Sequence, residues 1–203
     1  MDRRIAVLAS GRGSNLQAFL DHPATGPLVT VVISDRPDAE ALGRARAAGV
    51  PAVHLDPAPF PDRGAHDAAL VSLLGRHDVD LVCLAGYMRI LTPAAVRPLW
   101  GRMVNVHPSL LPAFPGARAI RDALAWGVKV TGVTVHLVDE EVDHGPILAQ
   151  EAVPVREDDD EASLRARIQE VEHRLYPATV VDLAEGRLRV RGRRVVREEP
   201  VRP

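Results

Sequence analysis

Five short segments in the first half of the chain carry few or no polar residues, and they recur with helical stretches between them. They are Ile5–Ala9 (IAVLA), Val29–Ser34 (VTVVIS), Pro51–Leu55, Asp80–Ala85 (DLVCLA) and Met103–Val106. A strand with one wet face alternates apolar and polar residues, whereas a continuous apolar run needs cover on both faces. Helical patterns fall between the runs: Leu16–Leu20, Asp35 to Gly49 with Pro37 in its first turn, Arg63–Arg76 with Ala68, Leu70, Val71 and Leu74 as its apolar side, and Pro93–Leu99. Strand and helix alternating in this way predict an α/β fold, a Rossmann-like, mostly parallel sheet with helices on both faces and right-handed crossovers. With 46% hydrophobic residues the chain has material for the core this requires.

The pattern changes after Lys129. Gly132–Val138 (GVTVHLV) alternates, and Ile147–Val155 follows after a short acidic loop, so an antiparallel C-terminal strand pair is expected at the sheet edge. Leu164, Ile168, Val171 and Leu175 then repeat at helical spacing, behind the acidic run Glu157–Glu161, which suits a helix N-terminus. The helical pattern runs on to a turn at Gly186, and LRVRGRRVV reads as a small two-stranded ribbon. No linker, internal repeat or low-complexity segment appears, so residues 1–203 are expected to form a single domain.

Several functions are disfavoured by composition. The net charge is −2 and no long basic block precedes the tail, so nucleic acid is not an expected partner. Lys129 is the sole lysine, leaving Schiff-base chemistry one candidate, in the turn-like segment WGVKVTG. The single cysteine, Cys83, lies in an apolar run and reads as inert core. The first apolar run is too short for a signal peptide or a membrane span, so cytoplasmic residence without a membrane partner is expected.

Three segments can carry chemistry. Ser10–Asn15 (SGRGSN) lies at a strand-to-helix junction, where glycines let a ligand approach the backbone and free N–H groups attract an anion. It has neither the third glycine of a dinucleotide fingerprint nor a Walker lysine, so a phosphate fits it better than NAD or ATP, with a plain tight turn as the alternative. Asn105–Pro112 (NVHPSLLP) sits where a strand closes, at the carboxyl edge where open α/β sheets bind ligands. A loop histidine alone is more often structural than catalytic. His22, His54, His66, His77 and His144 read as surface residues, His136 lies in a strand, and His173 stands beside the helical stripe. Asp139–Pro146 (DEEVDHGP) follows another strand and is either a solvated turn or a metal loop, though its spacing does not match a calcium-binding loop. A carboxylate from it placed beside His107 would favour the charged imidazole.

Together, SGRGSNL, GYMRIL, NVHPSLLP, GVTVHLVDEEVDHGP and QEVEHRLYP resemble the folate-dependent phosphoribosylglycinamide formyltransferases of purine synthesis, from Ile5 to about Leu188. The resemblance implies an enzyme that transfers the formyl group of 10-formyltetrahydrofolate to the amine of glycinamide ribonucleotide, without a metal. It implies that Asn105, His107 and Asp143 are the catalytic set. Gly13, Ser14, Asn15, Gln169 and Glu172 would hold the ribonucleotide. Arg63, Met88, Arg89, Ile90, Leu91 and Asn105 would contact the folate, and Asp139, Glu140, Glu141, Val142 and Asp143 would form the other wall. Leu111-Pro112 is where the family has a cis peptide. Family members often carry a basic or histidine-bearing segment after NVHPSLLP; AFPGARAIRDAL, with Ala113, Arg118 and Ile120, departs from that pattern. Methionyl-tRNA formyltransferase and formyl-folate deformylase share the donor, but normally carry an additional C-terminal or N-terminal domain that this chain is not expected to hold. A non-enzymatic nucleotide-binding module would use the SGRGSN turn without needing Asn105, His107 and Asp143 together. The expected partners are small-molecule substrates, with a monomer or a homodimer both open, and the charged tail reads as solvated.

Overall fold

The computed structural model describes residues 3–198. Seven strands form one sheet in the order β3-β2-β1-β4-β5-β6-β7. They are β1 (Ile5–Leu8), β2 (Val29–Ser34), β3 (Ala52–His54), β4 (Leu81–Leu84), β5 (Met103–His107), β6 (Val130–Leu137) and β7 (Ile147–Pro154). The first five run parallel, while β6 pairs antiparallel with β5, and β7 antiparallel with β6. The chain moves from β1 outward to β2 and β3, then crosses back to place β4 on the other side of β1. This reversal separates the loops after β1 and β4, which is where a ligand crevice opens in such sheets.

Helices α1 (Ser14–Asp21), α2 (Glu40–Ala47), α3 (Arg63–Arg76), α4 (Pro93–Val96), α5 (Ala119–Trp126) and α6 (Glu161–Ala184) cover the two faces. One core layer holds Ile5, Val7, Cys83, Val104 and Val106 with Leu16 and Phe19 of α1 and Leu164, Ile168 and Tyr176 of α6. The other sets Ala6, Leu8, Val82, Leu84 and Met103 against Leu70, Leu73 and Leu74 of α3. Both faces of β1 and β4 are thus dry, as their continuous apolar runs require, and β5 is covered on both faces until Asn105 and His107 reach the cleft. A two-stranded ribbon, β8 (Leu188–Arg191) and β9 (Arg194–Arg197), follows α6.

Four expectations need correcting. Helix α2 begins at Glu40 rather than Asp35, because Ser34 Oγ accepts the Arg36 N–H and the Arg36 carbonyl accepts the Ala39 N–H, closing a turn first. In α3, Ala68 is exposed, and His66, Asp67 and Leu73 join Leu70 and Leu74 on the buried side. His66 is therefore interior, not surface. The fully buried row of α6 is Leu164, Ile168, Glu172, Tyr176 and Val180, with Val171 and Leu175 only half-buried. The row includes a carboxylate because Asn15 Nδ2 donates to Glu172 Oε2 at 2.9 Å, so the buried oxygen has a partner.

Candidate active site

A cleft of about 800 Å³ runs along the carboxyl ends of β1, β4 and β5. One wall is the turn from Ser10 to Asn15. Gly13 has φ +71°, and a Cβ there would stand 2.8 Å from the Ala41 Cβ, so both conformation and space demand glycine. The turn is held from behind by α2: the Gly11 carbonyl accepts the Ala41 N–H at 3.1 Å and the Arg12 carbonyl accepts Arg44 Nε at 2.8 Å. With these carbonyls engaged at the rear, the unpaired N–H groups of the first turn of α1 are left for a ligand, and no acidic side chain lies in that turn to repel an anion. Gln169, Glu172 and Arg165 of α6 complete this end of the cleft. Burial raises the Glu172 carboxyl above its ordinary range, against the opposing hydrogen bond from Asn15.

The opposite wall carries the ionisable groups. Asn105 and His107 are two apart on β5, so their side chains share one face, while Val104 and Val106 enter the core behind them. The register of β5 on β6 sets Asn105 directly opposite His136. Asn105 Nδ2 lies 3.1 Å from His136 Nε2 and 3.5 Å from Asp143 Oδ1. His136 Nδ1 lies 2.8 Å from the Leu137 carbonyl, which can only accept, so the proton sits on Nδ1 and Nε2 accepts from the amide. Burial lowers the His136 pKa and supports that neutral form.

His107 is 4% exposed. Its Nε2 lies 2.8 Å from the Phe114 carbonyl and therefore carries a hydrogen. Its Nδ1 is 3.3 Å from Asp143 Oδ2. A neutral ring with its proton on Nε2 would aim a lone pair at that carboxylate, so the contact is attractive only with a second proton between them. The arrangement is a buried histidine–carboxylate pair. Asp143 Oδ2 also accepts the Gly116 N–H at 2.7 Å. The segment after His107 thus grips both members of the pair through its backbone. It is anchored in turn on buried Thr134, whose hydroxyl accepts the Leu111 N–H and donates to the Ser109 carbonyl. The Leu111-Pro112 bond is cis, as the resemblance implies.

The acidic loop is a braced turn. Gly145 passes so close to the Leu137 carbonyl that no Cβ fits. Asp143 adopts φ +52°, a conformation aspartate tolerates better than most residues. Glu140 forms a two-pronged pair with Arg97, and Asp139 accepts from His144 Nδ1 at 2.7 Å and from the Glu141 N–H at 3.0 Å. Arg193, in the turn between β8 and β9, donates to the His144 carbonyl at 2.6 Å, so the tail is docked on this loop. Each of these carboxylates already has a protein partner, and among the described residues no three His, Cys, Asp or Glu side chains gather as a metal site would need.

The cleft brings together Gly13, Ser14, Asn15, Met88, Arg89, Ile90, Leu91, Asn105, His107, Asp139 to Asp143, Gln169 and Glu172. Arg63 is not among its lining residues; it is exposed at the first position of α3. Arg118 is exposed at the start of α5 and Lys129 lies at the amino end of β6, neither of them in the cleft lining. Sequence reasoning did not find His136, the Phe114 carbonyl, the Gly116 N–H or Arg165. The alternation of His136 with Val133 and Val135 placed it in a strand, but only strand register puts it against Asn105.

Residues 3–180 match the model of the formyl transferase family. The chain is 47% identical over 192 residues to a phosphoribosylglycinamide formyltransferase of Mycobacterium tuberculosis, covering 94% of this chain and 89% of that protein. It is 46% identical to part of the trifunctional purine biosynthetic protein adenosine-3 of Drosophila melanogaster, with 91% of this chain aligned to only 14% of that longer protein. A crystal structure of glycinamide ribonucleotide transformylase 1 from Symbiobacterium toebii superposes with a TM-score of 0.94 at 55% identity, covering 97% of this chain and 94% of the other. On the family match and these relatives, the chain belongs to the formyl transferase family.

Proposed function

We propose that the chain is a phosphoribosylglycinamide formyltransferase that moves the formyl group of 10-formyltetrahydrofolate onto the amine of glycinamide ribonucleotide. The observation that carries this reading is the buried His107–Asp143 pair, 3.3 Å apart, in one cleft with Asn105 and with the Gly13–Asn15 turn on the other wall. A binding module would have no need of a buried histidine–carboxylate pair beside an amide donor. Relatives of similar length and structure carry the same activity in their names.

Gly13, Ser14 and Asn15 bind the ribonucleotide's phosphate through the N–H groups of α1, with Gln169 and Glu172 contacting the rest of that substrate. Met88 to Leu91 and Asp139 to Asp143 form the two sides of the folate pocket. The primary amine attacks the formyl carbon, and its lone pair becomes the new C–N bond. The carbonyl electrons move onto oxygen. Asn105 can spare an N–H for this oxyanion, because its 3.5 Å approach to Asp143 is long for a hydrogen bond. His107 donates from Nε2 once the Phe114 carbonyl yields that hydrogen, and Asp143 holds the positive ring in place. As the tetrahedral centre collapses, the bond to the folate nitrogen breaks, and the proton lost by the amine passes, through water near Asp143, to that leaving nitrogen. Holding both substrates together supplies much of the remaining acceleration.

Cytoplasmic residence belongs to this reading; among the described residues no helix is long and apolar enough to cross a membrane. The test is a formyl-transfer assay with 10-formyltetrahydrofolate and glycinamide ribonucleotide. Formylated ribonucleotide is expected. Release of formate to water regardless of ribonucleotide would overturn the assigned acceptor.

A further inference from the structure

The loop from Gly86 to Thr92 is one side of the folate pocket in the reading above, and the inference below rests on that reading for its substrate. Met88 and Ile90 stand 63% and 59% exposed, so burial of those two side chains does not fix the loop. Tyr87 and Leu91 on either side of them are buried in the core, and backbone anchors hold the two ends. At the start, the Gly86 carbonyl accepts the Ser10 N–H at 3.1 Å, and Ser10 Oγ accepts the Met88 N–H at 2.9 Å. At the end, the Thr92 N–H donates to Asp67 Oδ2 at 2.7 Å.

Asp67 lies on α3, outside the cleft, and is 1% exposed. A carboxylate in such a place is costly unless something compensates it. Its neighbour is His66, itself fully buried, with Nδ1 3.5 Å from Asp67 Oδ1. Neither of these two atoms has a hydrogen-bond partner among the described residues. His66 Nε2 lies 3.2 Å from the Leu55 carbonyl, so Nε2 holds a hydrogen, and Phe60 packs edge-on against the ring. Nδ1 of a neutral ring would then face the carboxylate with a lone pair. The ring thus lies against the carboxylate without a hydrogen bond to it, and the carboxylate's other oxygen is the one that accepts the Thr92 N–H.

We infer that His66 and Asp67 form a buried brace for the formyl donor's binding loop, with Asp67 a positioning residue that sets the course of Met88–Leu91 through the Thr92 amide. The buried ring walls in one side of Asp67 and keeps the carboxylate turned toward Thr92. Loss of the carboxylate leaves the Thr92 N–H without its acceptor and frees one end of the loop.

The test compares Asp67→Ala with Asp67→Asn. An asparagine can accept the Thr92 N–H through its amide oxygen and donate its NH2 to Nδ1 of a neutral His66, so it replaces both contacts. For Asp67→Ala the KM for 10-formyltetrahydrofolate should rise about tenfold, while affinity for glycinamide ribonucleotide stays at the parent value. Asp67→Asn should remain within about twofold of the parent. Hydrogen exchange read at the Thr92 amide, without any substrate, should be slow in the parent and in Asp67→Asn and fast in Asp67→Ala. Unchanged exchange in Asp67→Ala, an unchanged donor KM beside faster exchange, or an Asp67→Asn variant as impaired as Asp67→Ala would each overturn the inference. If the parent chain fails to formylate the ribonucleotide, the assigned activity falls, and exchange at Thr92 still decides whether the brace exists.

Discussion

The two walls of the cleft are built on opposite plans. The Ser10–Asn15 wall is contiguous in sequence, is made largely of backbone, and offers unpaired N–H groups at a helix start. The wall of Asn105, His107, His136 and Asp143 gathers side chains from two strands and a loop, and adds the backbone of Phe114 and Gly116. The first wall is suited to holding a fixed charge. The second holds a proton whose position depends on several partners at once. Damage should therefore appear as lost affinity on one side and as lost turnover on the other.

The sharpest way to break this division is His107→Ala, which should lower kcat at least roughly 100-fold while ribonucleotide affinity changes little. Asp143→Ala should act on the same step, and the double variant should be scarcely worse than the weaker single one, since a pair that works as a unit is lost once. Multiplicative losses in single-turnover assays would show that the two act separately. Ser14→Asp probes the other wall. A carboxylate at the helix start should weaken ribonucleotide binding by about tenfold or more and leave folate binding alone, as calorimetry with each substrate can read. His136→Phe should cost about tenfold in kcat, because the Asn105 amide then loses the acceptor that orients it; an unchanged kcat would remove His136 from the site. Glu172→Gln gives the smallest change and shows where the first wall departs from its plan. Burial raises the folded carboxyl above its unfolded value, so wild-type stability falls as pH rises through that raised value. The amide keeps an acceptor for Asn15 without the charge. The variant should melt higher at neutral pH, with the gap closing below the ordinary glutamate range, and should bind ribonucleotide less well. A lower Tm at neutral pH would contradict this account.

The same division governed what the sequence made legible. The parallel core was readable because runs such as IAVLA and DLVCLA leave no wet face. SGRGSN was readable because adjacent residues act together. Asn105, His107 and Asp143 gained meaning only from the family resemblance, since no local rule says which acidic residue reaches the ring. His136 depended on the cross-strand register, and Phe114 and Gly116 act through backbone atoms, which every residue has. His66 was misread because its polar neighbours in sequence suggested solvent, whereas α3 turns it and Asp67 inward behind the loop that ends at Thr92. Glu172 is missing from the apolar stripe read for α6, because counting apolar residues alone passes over a carboxylate that has its own hydrogen-bond donor.

The contact between Gly13 and Ala41 reaches beyond the cleft. Ala41 sits on α2 and does not line the cavity, yet it fills the space that any side chain at 13 would need, and its N–H holds the Gly11 carbonyl. The two positions form one heritable unit. In a lineage of such chains, growth at this fully buried position 41 presses on the turn, so drift on this helix is constrained by a ligand it never meets. A search for altered substrate preference could begin there, with serine or glycine at position 41 resetting the turn from behind while the residues that face the ligand stay as they are.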